Sequence, residues 1–586
     1  MKKRRKPSRV RPDHLKVQEQ GAIVKRGYGL IKVALVYPNT YKAGMSSLGF
    51  QTVYRLANQI PEVACERVFF PHTREKNPQI KSLETGLPLD QFDMILFSIS
   101  FENDFLHLAQ LLRATGIPLR SADRSSDRNH IHHPLVAAGG VACFLNPEPI
   151  APFVDLFLLG EAECLLSGFF DHFRSTDTRK DFLDTVESKL PGAYVPAQHL
   201  PICYGDTPES TGAPPLKNRI QVQYLEDLTG ISTTTAVMTS DTAFKDVFLI
   251  ETLKGCPHGC RFCTAGFIYR PPRVYPLDTL KAALDEAAQK TDRAGIVSSA
   301  VLDHPDIGQI CQYGKDKGLT LSFSSLRADK LDDHIISILS DAGVKTATIA
   351  PEAGSPRMRR VISKKLTREQ ILNAAKSLVD KGIMNLKLYF MIGLPFETRE
   401  DVRAIVDLTL DIKSVFLEAS RERKKIGTIT LSINPFIPKP ATPFQWTAMM
   451  AEKELKARLD IIRQGLKKTP NVSLNLESLR QARIHALLSL GDRKAADLIE
   501  TALDLGWTRA MKTQKAYCET VIHTEKTIQG DPPPALPWDI LAHRVSDGFL
   551  RRELERARRE KPSASCPMKS CTDCRICRRD LPEQDR

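Results

Sequence analysis

Cys256, Cys260 and Cys263 stand in ETLKGCPHGCRFCTAGFIYRPPR at the spacing C-x3-C-x2-C, directly after the strand-like run VFLIET. Three thiolates can hold a cubane iron-sulfur cluster by three of its four irons, leaving the fourth open to a small molecule that carries an amine and a carboxylate. The competing reading is structural zinc, which wants four closed ligands; the nearby fourth candidate is His258, inside the same loop. A second group, Cys566, Cys571, Cys574 and Cys577, follows in SCPMKSCTDCRICRRD at C-x4-C-x2-C-x2-C. Four thiolates so close can close a tetrahedral zinc site or hold a second iron-sulfur cluster. The other cysteines, Cys65, Cys143, Cys164, Cys203, Cys311 and Cys518, are scattered and read as packed side chains.

A chain of 586 residues is too long for one core and should divide into several units. No run approaches the roughly 18 consecutive apolar residues that span a bilayer, and MKKRRKPSRVRP has no apolar segment behind its charges, so no membrane association and a cytoplasmic location are expected. Seven of the 13 cysteines fall in two tight groups, which argues for metal ligation in a reducing compartment over disulfides. The formal net charge is +14, and residues 1 to 16 carry eight Lys or Arg against one Asp. Residues 1–25 therefore read as a basic disordered arm, either simply solvated or an electrostatic contact to RNA.

Residues 26–175 alternate short apolar runs (IKVALVYPN, FDMILFSIS, HPLVAAGG, VDLFLLG) with amphipathic stretches, the pattern of an open, doubly wound parallel sheet covered on both faces. Ligands of such sheets bind beyond the carboxyl ends of the strands, here near Asn39 to Gly44, Ser98 to Ser100 and Gly139-Gly140. Residues 176–240 read as a loop-rich connector between flanking domains. From 241 to 445 a strand-then-helix unit repeats about six times, with strands VFLIETLKG, AGIVSSAV, LTLSFSSLRAD, KTATIAPEAG, LKLYFMIGLP and TITLSINPF. Six such units of one hand predict an open (β/α)6 barrel, whose site lies at the carboxyl ends of its strands. Residues 446–545 read as helices and 546–586 as a basic tail around the four cysteines; Trp538, after DPPPALP, should anchor the last helices by burial.

The polar tracts at those strand ends, taken with the three cysteines and Phe262, resemble the radical S-adenosylmethionine (radical SAM) superfamily. The resemblance covers roughly residues 30 to 445 and is clearest from 247 to 400. Ser298-Ser299-Ala300 takes the place of a Gly-Gly-Glu-like stretch whose main chain grips the methionine amine of SAM. Ser324, Ser325, Arg327 and Asp329, then Glu352, Gly354, Ser355 and Arg359, resemble the tracts that meet the ribose and the methionine carboxylate. Carboxylates and hydroxyls suit a diol, and a guanidinium suits a carboxylate. Gly393-Leu394-Pro395-Phe396-Glu397-Thr398 resembles the tract beside the adenine, where Gly393 allows close backbone approach and Pro395 stiffens the turn.

The N-terminal unit resembles the cobalamin-binding-like Rossmann domain that precedes the barrel in many family members. Those that ligate cobalt carry Asp-x-His-x-x-Gly, and here the matching place reads Asn39-Thr40-Tyr41-Lys42-Ala43-Gly44. Tyrosine is a poor cobalt ligand, so the favoured reading is a domain that kept its fold and lost its ligand. The alternative is a cobalamin site without a protein ligand.

The resemblance implies an enzyme that reductively cleaves SAM at a 4Fe-4S cluster to a 5′-deoxyadenosyl radical, for modification of a substrate, including methyl or methylthio transfer. It also implies an electron donor such as flavodoxin or ferredoxin. Related enzymes often carry an auxiliary cluster, which favours iron-sulfur over zinc at the C-terminus. The competing class is a noncatalytic iron-sulfur redox or RNA-binding scaffold, which would have no use for the ribose-side and adenine-side tracts.

Overall fold

The computed structural model describes residues 18–71, 79–124, 133–204, 219–324, 326–526, 535–568, 571, 574, 576 and 577. Most of the basic arm (residues 1–17), Ser325 and residues 531–534 of the proline-rich loop lie outside the described residues. Residues 19–25 of the arm are built into the fold: Glu19 pairs with the buried Arg67 at 2.6 Å, and the Ile23 N–H donates to the Tyr54 hydroxyl at 2.7 Å.

Strands β1 (Ile31–Tyr37), β2 (Val63–Phe69), β3 (Met94–Ser98), β4 (Leu135–Gly139), β5 (Leu156–Leu158) and β6 (Ala193–Tyr194) form one sheet in the order β2-β1-β3-β4-β5-β6. All pairs are parallel except β5 with β6. The sheet thus reaches past residue 175 into the stretch read as connector, which supplies the helix Arg179–Lys189 as well. Alternation puts Val33, Leu35 and Tyr37 of β1 on one face, against the helices Leu48–Gln59 and Ala162–Ser175, and Ala34 and Val36 on the other. That second face is covered by the helix Phe105–Ala114 and also by Ile484, Leu488, Ala496 and Ile499 from the C-terminal helices Leu479–Leu490 and Ala495–Leu505. The N-terminal sheet therefore completes its core with residues some 350 positions further along the chain.

The next strands are β7 (Phe248–Lys254), β8 (Arg273–Val274), β9 (Arg293–Ser298), β10 (Thr320–Phe323), β11 (Thr346–Glu352), β12 (Asn385–Ile392), β13 (Ile429–Pro435) and β14 (Val472–Leu476). The six expected strands are β7, β9, β10, β11, β12 and β13, in sequential order. Their hydrogen bonding makes two four-stranded sheets, β8-β7-β9-β10 and β11-β12-β13-β14, with the ladder interrupted between β10 and β11. β14 is a seventh parallel strand, inside the region read as wholly helical, and pairs with β13 from Ile429↔Val472 onward.

Side-chain caps start the crossover helices after β10, β11 and β12, through Asp332, Thr367 and Thr398. The helix Arg399–Glu422 opens on a reciprocal capping box between Thr398 and Asp401, and its face of Val402, Ile405, Ile412 and Phe416 is buried. Each such side chain is worth roughly 1.5–3 kcal/mol by burial. Trp538 is buried as expected, and its indole N–H donates to Gln445 Oε1 at 2.8 Å. The tail expected from 546 begins with a helix, Asp547–Arg558, whose Phe549, Leu550 and Leu554 join the barrel core. Among the described residues no helix is long and apolar enough to cross a membrane.

Candidate functional site

β7 ends at Lys254, and Gly255 then turns the chain with φ +88° into the cysteine loop; a Cβ there would lie 2.7 Å from that of Tyr269. The loop holds itself in shape through the Cys263 N–H to the Cys260 carbonyl at 2.9 Å, and meets the end of the helix Pro356–Val361 through the Arg261 N–H to the Ile362 carbonyl at 3.0 Å. Cys260 Sγ lies 4.0 Å from the Ser363 carbonyl oxygen. Burial pushes the Cys256 thiol up to about 12 and the Cys263 thiol up to about 11, so both hold their protons until a metal displaces them.

Charged side chains from successive strand ends act electrostatically on these three thiols. Asp303, just past β9, acts on Cys256. Arg327, after β10, and Lys365 both feel Cys260. Lys364 and Glu352, at the end of β11, act on Cys263 and pair with each other at 3.5 Å. Burial pushes the Glu352 carboxyl up while Lys364 draws it back, and the backbone of Glu352 is left-handed at φ +65°, a conformation tolerated where surrounding structure over-determines it. Burial opposes the charge of Arg327, but its fork on Asp329, two bonds of 3.0 Å, and the nearby Cys260 and Asp303 hold it above the ordinary guanidinium range.

Of the sequence-derived residues, Ser298 and Ser324 meet directly: the Ser324 hydroxyl donates to the Ser298 carbonyl at 3.0 Å and receives the Ser298 N–H at 3.2 Å. Ser299 is exposed in the turn after β9. Ser355 and Arg359 have local structural work. The Ser355 hydroxyl caps the helix Pro356–Val361 and donates to Asp401 at 2.5 Å. The buried Arg359 donates from Nε to the Leu366 carbonyl at 2.8 Å and from Nη1 to the carbonyls of Ala353 and Gly354 at 3.1 and 2.7 Å, so much of its fork serves main chain where the expectation was the methionine carboxylate. Gly393 turns at φ +75°, and its N–H donates to Glu397 at 2.8 Å, beside Arg458 at 3.0 Å. A Cβ at Gly393 would lie 2.7 Å from Leu455 Cδ2, so this glycine serves close packing, with Pro395 two residues on in the turn.

Sequence reasoning missed Lys364, Arg261 and the pairing of His258. His258 Nε2 lies 2.9 Å from Asp303 Oδ2 and Nδ1 lies 3.4 Å from Ser565 Oγ, so both ring nitrogens already have partners and His258 does not complete a zinc set. Burial opposes the charge on Asp303, yet His258, Lys330 and Arg327 together hold its carboxyl below the usual range. Among the described residues no three His, Cys, Asp or Glu side chains are gathered tightly enough for a single metal ion. Three thiols with an open fourth position suit a cubane cluster, whereas a structural zinc is closed by a fourth ligand, which His258, already paired through both ring nitrogens, does not supply.

The place of a corrin fits less well. Tyr41, where a cobalt ligand would stand, gives its hydroxyl to Glu19 at 2.6 Å and packs edge-on against Phe69. The sheet changes direction between β1 and β3, the point where such folds bind ligands, and that crevice is bridged by Asn39 to Asp104 at 2.8 Å. Gly140, at φ +102°, is pressed against the Ile99 carbonyl, its close approach used by the protein's own backbone.

Comparisons with known proteins match two parts of the chain. A family profile described as "Radical SAM proteins, N-terminal" matches residues 49–196, and one for the "Radical SAM superfamily" matches residues 250–409. An uncharacterized protein of Methanocaldococcus jannaschii is 30% identical over 473 residues, covering 80% of this chain and 90% of that protein. The ribosomal protein uS12 methylthiotransferase RimO of Thermodesulfovibrio yellowstonii is 25% identical over 227 residues, 35% of this chain and 51% of RimO. Among solved structures, the apo form of the cobalamin-dependent S-adenosylmethionine radical enzyme OxsB aligns over 65% of this chain and 51% of its own, at 15% identity and a TM-score of 0.40. With the two profiles falling on the N-terminal sheet and on the strands that carry the cysteine loop, and the archaeal relative matched along most of both chains, this chain belongs to the radical SAM superfamily.

Proposed function

We propose that the three thiols Cys256, Cys260 and Cys263 hold the 4Fe-4S cluster that membership of the superfamily implies, and that this enzyme cleaves SAM there in order to modify an acceptor. The observation that carries the reading is the C-x3-C-x2-C loop directly after β7, inside the span the superfamily profile matches, with Lys364 paired to Glu352 at 3.5 Å at the end of β11. When bound, the cluster supplies the single electron that reductive cleavage of a sulfonium requires.

The chain's own residues bind and orient. The Lys364 ammonium and the Glu352 carboxylate present opposite charges beside Cys263, complementary to the carboxylate and amine of the methionine half of SAM. Arg327, fixed by its fork on Asp329, extends the positive side toward Cys260. Ser298 and Ser324 close the ends of β9 and β10, and the Gly393–Pro395 turn closes β12. Ser355 and Arg359 support the site by shaping the turn after β11.

The N-terminal sheet caps the barrel mouth, its loops after β3 and β5 packing on the strand ends: Glu102 meets Lys439 past β13, and Glu161 pairs with Arg273 of β8 at 2.7 Å. Methyl or methylthio transfer is the favoured reaction class, supported by the RimO relative. Cobalamin is not part of the proposal, given the partners of Tyr41 and the bridged crevice. The C-terminal cysteines are a second metal site, with iron-sulfur favoured over zinc. A cytoplasmic location, a flavodoxin or ferredoxin donor, and contact of the basic arm with RNA complete the reading.

Anaerobic reconstitution followed by dithionite and SAM should yield 5′-deoxyadenosine. Cys256→Ala, Cys260→Ala and Cys263→Ala should each abolish it together with the charge-transfer absorbance of the barrel cluster, and cleavage surviving these changes would reject the assignment.

A further inference from the structure

The two cysteine groups are far apart in sequence and touch in space. The backbone N–H of Cys566 donates to the carbonyl of Pro257, the residue after Cys256, at 2.7 Å. Ser565 Oγ stands 3.4 Å from His258 Nδ1 and accepts from Lys365 at 3.0 Å. The Ser563 N–H donates to the Ser363 hydroxyl at 3.1 Å, beside the carbonyl that approaches Cys260. Residues 561–566 are thus laid along the rim of the barrel's cysteine loop.

Arg261, between Cys260 and Phe262, holds this strap down. Its side chain is fully buried, and every donor is engaged: Nε to Glu553 Oε2 at 3.0 Å, Nη1 to the carbonyls of Arg360 and Val361 at 3.2 and 2.6 Å, Nη2 to the Lys561 carbonyl at 2.6 Å and to Ser563 Oγ at 2.8 Å. A buried guanidinium is tolerated only with such complete pairing. Beyond the strap, Cys566 and Cys574 are buried, and Cys571 and Cys574 act electrostatically on both Cys566 and Cys577. Arg270, whose Nε donates to the Gly266 carbonyl on the barrel side, acts on Cys566 and Cys577 as well. A zinc clip would serve to order a loose tail. The helix Asp547–Arg558 and the strap are already ordered by Arg261 and by the burial of Phe549, Leu550 and Leu554.

We propose that Cys566, Cys571, Cys574 and Cys577 form an iron-sulfur site electronically coupled to the barrel's three-cysteine site, through which single electrons enter from a low-potential donor protein, and that Arg261 is the positioning residue that holds the two together. The proposal rests on the reading of Cys256, Cys260 and Cys263 as cluster ligands. Its step balances simply: the donor loses one electron, the barrel site gains it, and no bond is made or broken at the C-terminal cysteines.

The test uses the full-length protein reconstituted anaerobically with iron and sulfide, reduced with dithionite and followed by electron paramagnetic resonance. Wild type should carry about eight irons per chain and a signal broadened by spin-spin interaction. Replacing the four C-terminal cysteines with serine should halve the iron and leave a narrow, faster-saturating signal. Arg261→Lys, which keeps the charge and loses the fork, should keep both clusters while the broadening falls severalfold. About four irons with one zinc in wild type, or a wild-type spectrum equal to the sum of the separate sites, would overturn the proposal. Iron retained only at the C-terminal group would instead refute the reading of the barrel cysteines, which separates the two failures.

Discussion

Glu102 Oε1 accepts a hydrogen bond from Lys439 Nζ at 2.6 Å, although 337 residues separate them. The pair joins the loop after β3 of the N-terminal sheet to the loop after β13 of the barrel, and His485 and Ser489 of a C-terminal helix complete it at 3.1 and 3.0 Å. Burial opposes the charge on Glu102, but Lys439 and His485 outweigh it and hold the carboxyl far below its usual range. Glu102→Ala leaves the Lys439 ammonium without its counter-charge in a largely buried place, and should cost about 3–5 kcal/mol in urea unfolding. Adding Lys439→Met should recover part of the loss; a double variant no better than the single would show that the pair is not coupled.

Lys364 carries a separate prediction. Its ammonium is held beside Glu352 and Cys263, with little solvent exposure. Lys364→Met removes a charge-assisted hydrogen bond to a carboxylate, worth about 1.5–3 kcal/mol. Binding of SAM to the reconstituted protein should therefore weaken roughly ten- to a hundredfold. Iron content should stay at the wild-type level. Equilibrium dialysis with labelled SAM checks the first point and metal analysis the second.

The barrel strands were legible because each is a short apolar run followed by a helical stretch, three of them opened by a cap residue (Asp332, Thr367, Thr398), and because polar residues cluster where the strands end. The cysteine loop was legible for the same reason. β14 was not: VSLNL has five residues, alternates weakly, is only half-buried on one side, and follows a long helix that suggests more helix. Ser355 and Arg359 could not be told from ligands by type, since the same hydroxyl and guanidinium that suit a ribose or a carboxylate also suit a helix cap and a set of carbonyls. Arg261 sat in plain view inside the motif, but its partners Glu553, Lys561 and Ser563 lie some 300 positions away. Glu102 with Lys439 is hidden by the same distance, since each residue alone is an ordinary charged loop residue.

The ring of His543 should give the fold a defined acid sensitivity. Its Nδ1 lies 2.9 Å from the Tyr224 hydroxyl, and burial pulls its pKa down to about 4. The unfolded chain therefore takes up this proton near pH 6.5 while the folded one resists it to about 4, so the contribution to stability is intact above pH 6.5 and is lost as the pH falls through that window. The loss is up to about 3 kcal/mol, an upper bound because the residue keeps some solvent contact. His543→Gln keeps a polar group toward Tyr224 and cannot titrate. The difference in melting temperature between wild type and His543→Gln should change steadily from pH 6.5 to 4.5, and a constant difference would remove His543 as the cause.

Hydroxocobalamin tests what the N-terminal sheet has become. A corrin would have to enter beyond β1 and β3, where Asn39 bridges to Asp104 and His107 Nδ1 lies 2.8 Å from the Pro38 carbonyl. The residue in the position of a cobalt ligand, Tyr41, is turned toward Glu19, which itself answers the buried charge of Arg67. Restoring the ligand alone, as Tyr41→His, removes the hydroxyl from Glu19 but leaves the Glu19–Arg67 pair and the Asn39–Asp104 bridge in place, so neither wild type nor the variant should retain corrinoid absorbance after anaerobic reconstitution and gel filtration. Combining Tyr41→His with Asn39→Ala and His107→Ala opens the crevice as well. If the bridge is what excludes the cofactor, the combined variant alone should bind it. Retention by wild type would mean that the loops after β1 and β3 part readily in solution, and that the sheet still serves as a cofactor domain.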